Sequence, residues 1–299
     1  LYREHREYFY DWCEIGSIYG APGDCLWGGG RVGFGEAKAR DVVSLMREYG
    51  ISARLTFSNS LLNEKHLDDR DCNKLCVAFM NTSTQNSRKT LRTEGVLQNG
   101  GTRHTDGLVQ NGVKVHSDLL MDYIRKEYPG FYFVSSTTKV LTDFRDFEKE
   151  LKRQEFKYVV PDFRLNRDFK ELDSLPDELK GKVEFLCNEC CWFECYDRKA
   201  CYENVSRKSL GEECEDHVCV SPTANRGYRF SDAMKNPGFI GIEDIKHKYM
   251  PMGFSQFKIE GRSLGSAVVL EMLLYYITKP EYRLNIREEI YLDSMLDLF

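Results

Sequence analysis

The stretch VKVHSDLLMDYIRKEYPGFYFVS, residues 113–135, holds a strand, a helix and a second strand in succession. VKV (113–115) is a short run of β-branched residues around one lysine. Ser117 stands where a helix N-cap belongs, because its hydroxyl accepts hydrogen bonds from backbone N–H groups that have no partner inside the helix. The helix SDLLMDYIRKEY stops before Pro129, which cannot continue it, and FYFVS (131–135) follows directly. Loops this short joining strand, helix and strand are the mark of parallel strands connected through a crossover helix.

The same rhythm extends in both directions. Strand-like runs occur at EIGSIY (14–19), SARLTF (52–57), VKV, FYFVS, KYVV (157–160), VEFLC (183–187), GFIG (238–241) and QFKIE (256–260). Helical runs lie between several of them. EAKARDVVSLMREY ends at Gly50, the helix after Thr142 repeats Phe144, Phe147 and Leu151 at helical spacing, and LGSAVVLEMLLYYI follows the last strand. Eight strands alternating with helices in 299 residues predict an α/β fold, a (β/α)8 TIM-like barrel formed by residues 1–299 as a single domain.

Composition bounds the rest. The chain is 41% hydrophobic and 30% charged, with a formal charge of −5, so nothing in the overall balance advertises a polyanion partner. It contains no apolar run of membrane-spanning length, and LYREHREYFYDW at the N-terminus lacks the layout of a signal peptide. A cytoplasmic protein with no membrane partner is expected. In that reducing compartment, 11 cysteines point to metal binding or chemistry before disulfides.

Two segments interrupt the rhythm. Residues 81–112 are polar and glycine-rich, contain the near-repeat GVLQNG and GLVQNG, and read as an inserted loop. Residues 188–236 follow the sixth strand as a long cysteine-rich segment, at the end of a barrel strand where such folds keep their chemistry. Cys187, Cys190, Cys191, Cys195, Cys201, Cys214 and Cys219 fall at or beyond that strand's end. Cys191, Cys195, Cys201 and Cys219 are the preferred ligand set for a metal or cluster, with Cys187, Cys190, Cys25 and Cys214 as possible replacements. Their irregular spacing favours an iron–sulfur cluster over structural zinc, which remains the alternative. Buried structural cysteine is the plainer reading for Cys13, Cys72 and Cys76.

The run NECCWFECYDRKACY (188–202) resembles the N-E-x-C-x3-C-x2-R-x2-H-Y run of the peptidase U32-like proteins, and FKIEGR (257–262) is similar to that family's K-I-E-G-R strand. Between them FIGIEDIKHKYMPMGFSQ (239–256) resembles the segment leading into that strand. The likeness covers about residues 113–285. It implies a barrel, a [4Fe-4S] cluster in several members, and oxygen-independent hydroxylation of RNA or of ubiquinone precursors with a carboxylate oxygen donor. Proteolysis is the older activity attached to the family. The family's histidine stands here as Cys201, which leaves the fourth ligand open.

Residues just beyond strand ends share one face of a barrel and are the candidates for substrate contact. Lys258 and Glu260 alternate with Phe257 and Ile259, so the charged pair faces either the interior or the helices; inside, each must pair or act on a ligand. Arg262 follows as a guanidinium suited to a carboxylate. Asp162 and Arg164 lie past the fifth strand, with a local ion pair as the plainer reading. Gly28, Gly29, Gly30 and Arg31 form a possible anion-binding turn, Asn59 ends the second strand, and Ser135, Ser136 and Thr137 end the fourth. His116, His217 and His247 are isolated, and only His217 is close enough to Cys219 to substitute as a ligand.

These readings converge on an iron–sulfur-dependent enzyme with Lys258, Glu260, Arg262, Asp162 and Arg164 at its reaction site. Oxygen-independent hydroxylation or a related redox modification of a small molecule or RNA is expected, with a partner of the same family possible. The alternatives are a metal-dependent or U32-type peptidase, and an iron–sulfur scaffold or electron-transfer protein.

Overall fold

The protein's computed structural model describes residues 1–30, 38–80, 109–226, 230–261 and 265–296. Among them are seven strands: β1 (Ser17–Gly20), β2 (Ser52–Phe57), β3 (Gly112–Val115), β4 (Tyr132–Ser135), β5 (Phe156–Val159), β6 (Glu184–Leu186) and β7 (Gln256–Lys258). β1 to β5 form a parallel sheet in sequential order, and β6 pairs with β7 in a second parallel sheet. A parallel bridge between Val159 and Val183 links the two. The helices of the first half are α1 (Ala39–Tyr49), α2 (Arg70–Met80), α3 (Asp118–Glu127) and α4 (Phe144–Lys152). Short α5 (Phe169–Asp173) and α6 (Asp177–Lys180) precede α7 (Arg198–Ser209), α8 (Phe230–Ala233), α9 (Ile242–Asp244), α10 (Ser266–Ile277) and α11 (Arg283–Leu296).

Ser117 Oγ accepts from the Leu120 N–H, as its place before the helix predicts. At the start of α4 the structure adds a second cap, Asp143 Oδ1 accepting from the Arg145 and Asp146 N–H groups at 2.9 and 3.3 Å. Gly50 closes α1 at φ 65°, a left-handed conformation that a residue with a Cβ adopts only under strain.

β2, β3, β4 and β6 are buried on both faces, and the faces differ in chemistry. Along β2, Ala53, Leu55 and Phe57 face the helices and join a core that reaches from Phe9 to Ile286. Ser52, Arg54 and Thr56 lie on the opposite face and are also buried. There Arg54 donates from Nε to the Tyr132 hydroxyl of β4 at 2.7 Å and pairs through its guanidinium with Glu184 of β6. A side chain of the second strand meets one of the sixth only if the sheet curls, so this face is concave. Lys114 of β3 and Lys258 of β7 both stack on the ring of Tyr19 in β1, at 4.2 and 5.0 Å.

The closed eightfold barrel is not what the described residues form. GFIG (238–241), expected as the seventh strand, makes a single rung, Ile240 N–H to Cys187 O at 3.0 Å, and then enters α9 at Gly241. Gly238 packs so tightly that a Cβ there would lie 2.6 Å from the Phe163 carbonyl oxygen. The segment is thus pinned as a turn against the chain after β5, and the run expected as the eighth strand pairs directly with β6. Between the first and last strands the tie is a side chain, the Tyr19 hydroxyl donating to Ile259 O at 2.7 Å.

Residues 81–108 of the expected loop lie outside the described residues. Its last positions belong to the sheet: Gly112 opens β3, and the Asn111 side chain joins the β2 backbone at Ala53 to the α2 carbonyl of Phe79. No helix among the described residues is long and apolar enough to cross a membrane.

Candidate active site at the strand ends

The concave face carries one charged layer. Arg54, Lys114 and Lys258 surround Glu184, and all four side chains are buried. Burial opposes the charge on Glu184, but Arg54, Lys258 and Lys114 outweigh it and hold the carboxyl below its usual range. For Lys258 the geometry answers one question left by alternation: it is 5% exposed and sits inside, over Tyr19.

Above this layer, towards the C-terminal ends of the strands, a second group assembles. Asn188 extends from the end of β6 and brackets the backbone of Glu260, donating to its carbonyl at 2.8 Å and accepting from its N–H at 2.9 Å. This places the Glu260 carboxyl against Glu189 and the Cys190 thiol. Ligand atoms of Glu189, Cys190 and Glu260 lie within 4.8 Å of one another, the one such group of acidic, histidine and cysteine side chains among the described residues. Glu189 is buried, Glu260 half-buried and Cys190 exposed, so the group is open on one side.

The two carboxyl groups share a proton. Burial and the neighbouring Glu189 charge push Glu260 up, against the pull of Lys258, while Glu189 is held down despite its burial by Arg198, the proton from Glu260 and the Cys191 N–H. Arg198, at the start of α7, is the anchor of this arrangement. It pairs with Glu189, donates from Nη1 to Asp162 Oδ2 at 2.9 Å, and donates from Nε and Nη2 to the Tyr202 hydroxyl at 3.0 and 2.8 Å. One guanidinium therefore joins the ends of β5 and β6 to α7.

Asp162 and Arg164 form the local ion pair that was the plainer reading. Asp162 receives the Arg164 fork at 2.6 and 3.0 Å and also the Arg164 N–H, and Arg164 reaches on to Cys195 O at 2.8 Å. The pair thus fixes the cysteine-rich segment against the strand ends. Arg262 and Arg31 lie outside the described residues.

The cysteines divide into distinct environments, and none is in a disulfide. Cys187 is fully buried on the helix-facing side. Cys190 and Cys191 thiols lie side by side, a contact that, ahead of burial, raises Cys190. Cys195 is buried in the turn after Trp192, Cys201 lies in the first turn of α7, Cys214 Sγ accepts from Asn204 at 3.7 Å, and Cys219 is exposed. His217 faces Asp197 at 3.4 Å, and His247 faces Glu243 on the surface. Two thiolates on one tetrahedral zinc stand about 3.8 Å apart, from Zn–S bonds of about 2.3 Å. No three cysteine sulfurs among the described residues approach that arrangement. An iron–sulfur cubane spreads its thiolates over separate irons, and the donor set suits it chemically: Cys190, Cys191, Cys195, Cys201, Cys214 and Cys219 all carry free thiols on the one segment after β6.

Most other mouth residues have structural partners, although the buried Thr137 hydroxyl has none among the described residues. Ser135 turns outward to Glu150 at 2.6 Å, and Asn59 donates to Leu26 O at 3.0 Å. Ser58, Ser136, Thr138 and His116 form a hydrogen-bonded row, with separations of 2.9, 3.0 and 2.9 Å. Burial, with Lys139 and Lys199, lowers His116 to about 4, so its ring is neutral at pH 7. A surface groove of about 1150 Å3 between α1 and α2 holds none of these groups.

Sequence offers no role for Arg54, Lys114 or Glu184, and it places Arg198 on a solvated mixed-charge face, whereas the side chain is 1% exposed. The first three had a signal: each is a lone charge inside an apolar strand run, in SARLTF, VKV and VEFLC. Arg198 is the arginine of the 188–202 run but had no assigned partner.

No family model and no curated protein matches the chain. Among solved structures, that of the U32 peptidase Mk0906 aligns with 75% of this chain and 76% of its own, at a TM-score of 0.42 and 15% identity.

Proposed function

We propose that this chain is a metal-dependent enzyme working at the C-terminal ends of a barrel-like parallel sheet, with the segment after β6 holding an iron–sulfur cluster. The observation that carries the reading is the set of free thiols on that segment, which also contributes to an open-sided Glu189–Cys190–Glu260 group. Cys191, Cys195, Cys201 and Cys219 are the preferred ligands, and Cys190 or Cys214 would replace one of them. When bound, the cluster would supply electron transfer or activation of an oxygen-bearing donor.

The chain's own residues do the rest. Glu260 holds a proton at its carboxyl and can release it towards Glu189 or a substrate oxygen. Arg198 keeps Glu189 ionised, and Arg54, Lys114 and Lys258 give the concave face the sign that attracts an anionic substrate. The preferred reaction is oxygen-independent hydroxylation or a related redox modification of a small molecule or RNA, with a carboxylate donor and a possible partner protein of the same family. Iron, zinc and acid-labile sulfide in anaerobically purified protein test it. About four irons and four sulfides per chain support the cluster; one zinc without sulfide, or no metal at all, refutes it.

One observation favours a second reading, hydrolysis of a peptide. Two carboxyl groups sharing one proton can activate water and protonate a leaving group without any metal. Glu260→Gln distinguishes the readings: it abolishes peptide hydrolysis under the second and leaves iron and sulfide content unchanged under the first.

The same variant reports the shared proton through stability. The folded state raises Glu260 from 4.5 to about 7, so its contribution is full below 4.5 and is lost as pH rises through about 7. Glu260→Gln keeps the neutral form at every pH. Relative to wild type it is expected to gain stability between pH 5 and 7.5 in urea titrations; a constant difference would mean no shared proton.

A further inference from the structure

Four cysteines lie away from the segment after β6: Cys13, Cys25, Cys72 and Cys76. Cys25 follows β1 and caps the short turn Leu26–Gly28, while Cys72 and Cys76 sit one helical turn apart on α2. Cys25 Sγ and Cys72 Sγ are 3.1 Å apart, and the two residues are 6% and 1% exposed. Both backbones are fixed. The Cys72 N–H donates to Asp69 Oδ1 at 2.8 Å, the Cys25 N–H to Pro22 O at 3.1 Å, and Trp27 Nε1 crosses between the segments to His66 O at 2.7 Å. Two thiols held in contact on rigid supports need little movement to bond.

We propose that Cys25 and Cys72 are a redox pair that closes to a reversible disulfide. With hydrogen peroxide as oxidant the balance is simple. The more exposed Cys25 thiol becomes a sulfenic acid with release of one water. Cys72 sulfur then attacks the Cys25 sulfur, the S–O bond breaks, and the hydroxyl leaves with the Cys72 proton as a second water. The pair loses two electrons and peroxide gains them; a dithiol reductant reverses the bond.

The link would bear on the reaction site. The turn beyond Cys25 is packed against the strand ends: a Cβ on Gly29 would lie 2.9 Å from Asn59 Cα, and one on Gly30 would lie 3.0 Å from Val205 of α7. Joining Cys25 to α2 therefore fastens the wall between the core and the helix that carries Arg198.

The test treats the full chain with stoichiometric peroxide, blocks remaining thiols with iodoacetamide, and digests without reductant for mass spectrometry. The expected product is one peptide pair joined through Cys25 and Cys72, released by dithiothreitol, retained in Cys76→Ala and lost in Cys25→Ser. Oxidation is expected to raise the thermal midpoint of wild type and Cys76→Ala but not of Cys25→Ser. Recovery of Cys25 alkylated or as an unlinked sulfinic acid, or of Cys72 joined to Cys76, would overturn the pairing. The wild-type spectrum decides alone should the serine variant not fold.

Discussion

Arg198→Met is expected to lower folding stability by about 3–5 kcal/mol, the usual cost of leaving buried charge without its partner. In a chain of this size that is a fall of roughly 10 °C in thermal midpoint. The side chain is 1% exposed, and methionine fills much of its volume, so the loss reflects charge and hydrogen bonds more than a cavity. Asp162 keeps its bidentate contact with Arg164, but Glu189 loses the cation that holds it ionised. In wild type the depressed Glu189 contributes stability above its ordinary 4.5 that is lost as pH falls towards about 2. Without Arg198 that contribution is gone, so the deficit should be largest at pH 7 and shrink in acid as Glu189 takes up a proton. Arg198→Lys, which keeps the charge and loses the fork, should fall between the two. A deficit independent of pH would show that the guanidinium serves packing alone.

How far this arrangement could be read in advance depends on what local sequence encodes. Strand and helix positions were legible because Ser117, Gly50 and Pro129 act within a few residues of themselves. GFIG misled because β propensity says nothing of the Phe163 carbonyl that crowds Gly238 from far along the chain. The cysteine density of 188–219 was visible, but which thiols neighbour one another was not: Cys187 turns to the core, Cys190 to the carboxyl pair. Lys258 and Glu260 were identified as a pair facing one side. The partners that give them meaning, Glu184 and Glu189, lie about seventy residues earlier. A lone charge within an apolar strand run is the transferable signal, because a parallel strand buried on both faces tolerates it only where another strand supplies the opposite charge.

Glu184→Gln probes that rule where it is most exposed to failure. The substitution removes one negative charge from the midst of Arg54, Lys114 and Lys258 while keeping size and hydrogen-bonding capacity, and it is expected to destabilise by about 3 kcal/mol. The sign with pH follows from the depressed carboxyl: its contribution is present above the ordinary 4.5 and lost as pH falls, so variant and wild type should converge in acid. Added sulfate should raise the urea midpoint of Glu184→Gln more than that of wild type, because an anion entering the concave face replaces the missing charge. The double variant Arg54→Met with Glu184→Leu should recover part of the loss, since it removes a buried cation together with its counter-charge. Equal sulfate effects on both proteins would mean that the charged layer is sealed from solutes, and substrate recognition would then rest on Glu189, Cys190 and Glu260 at the open end.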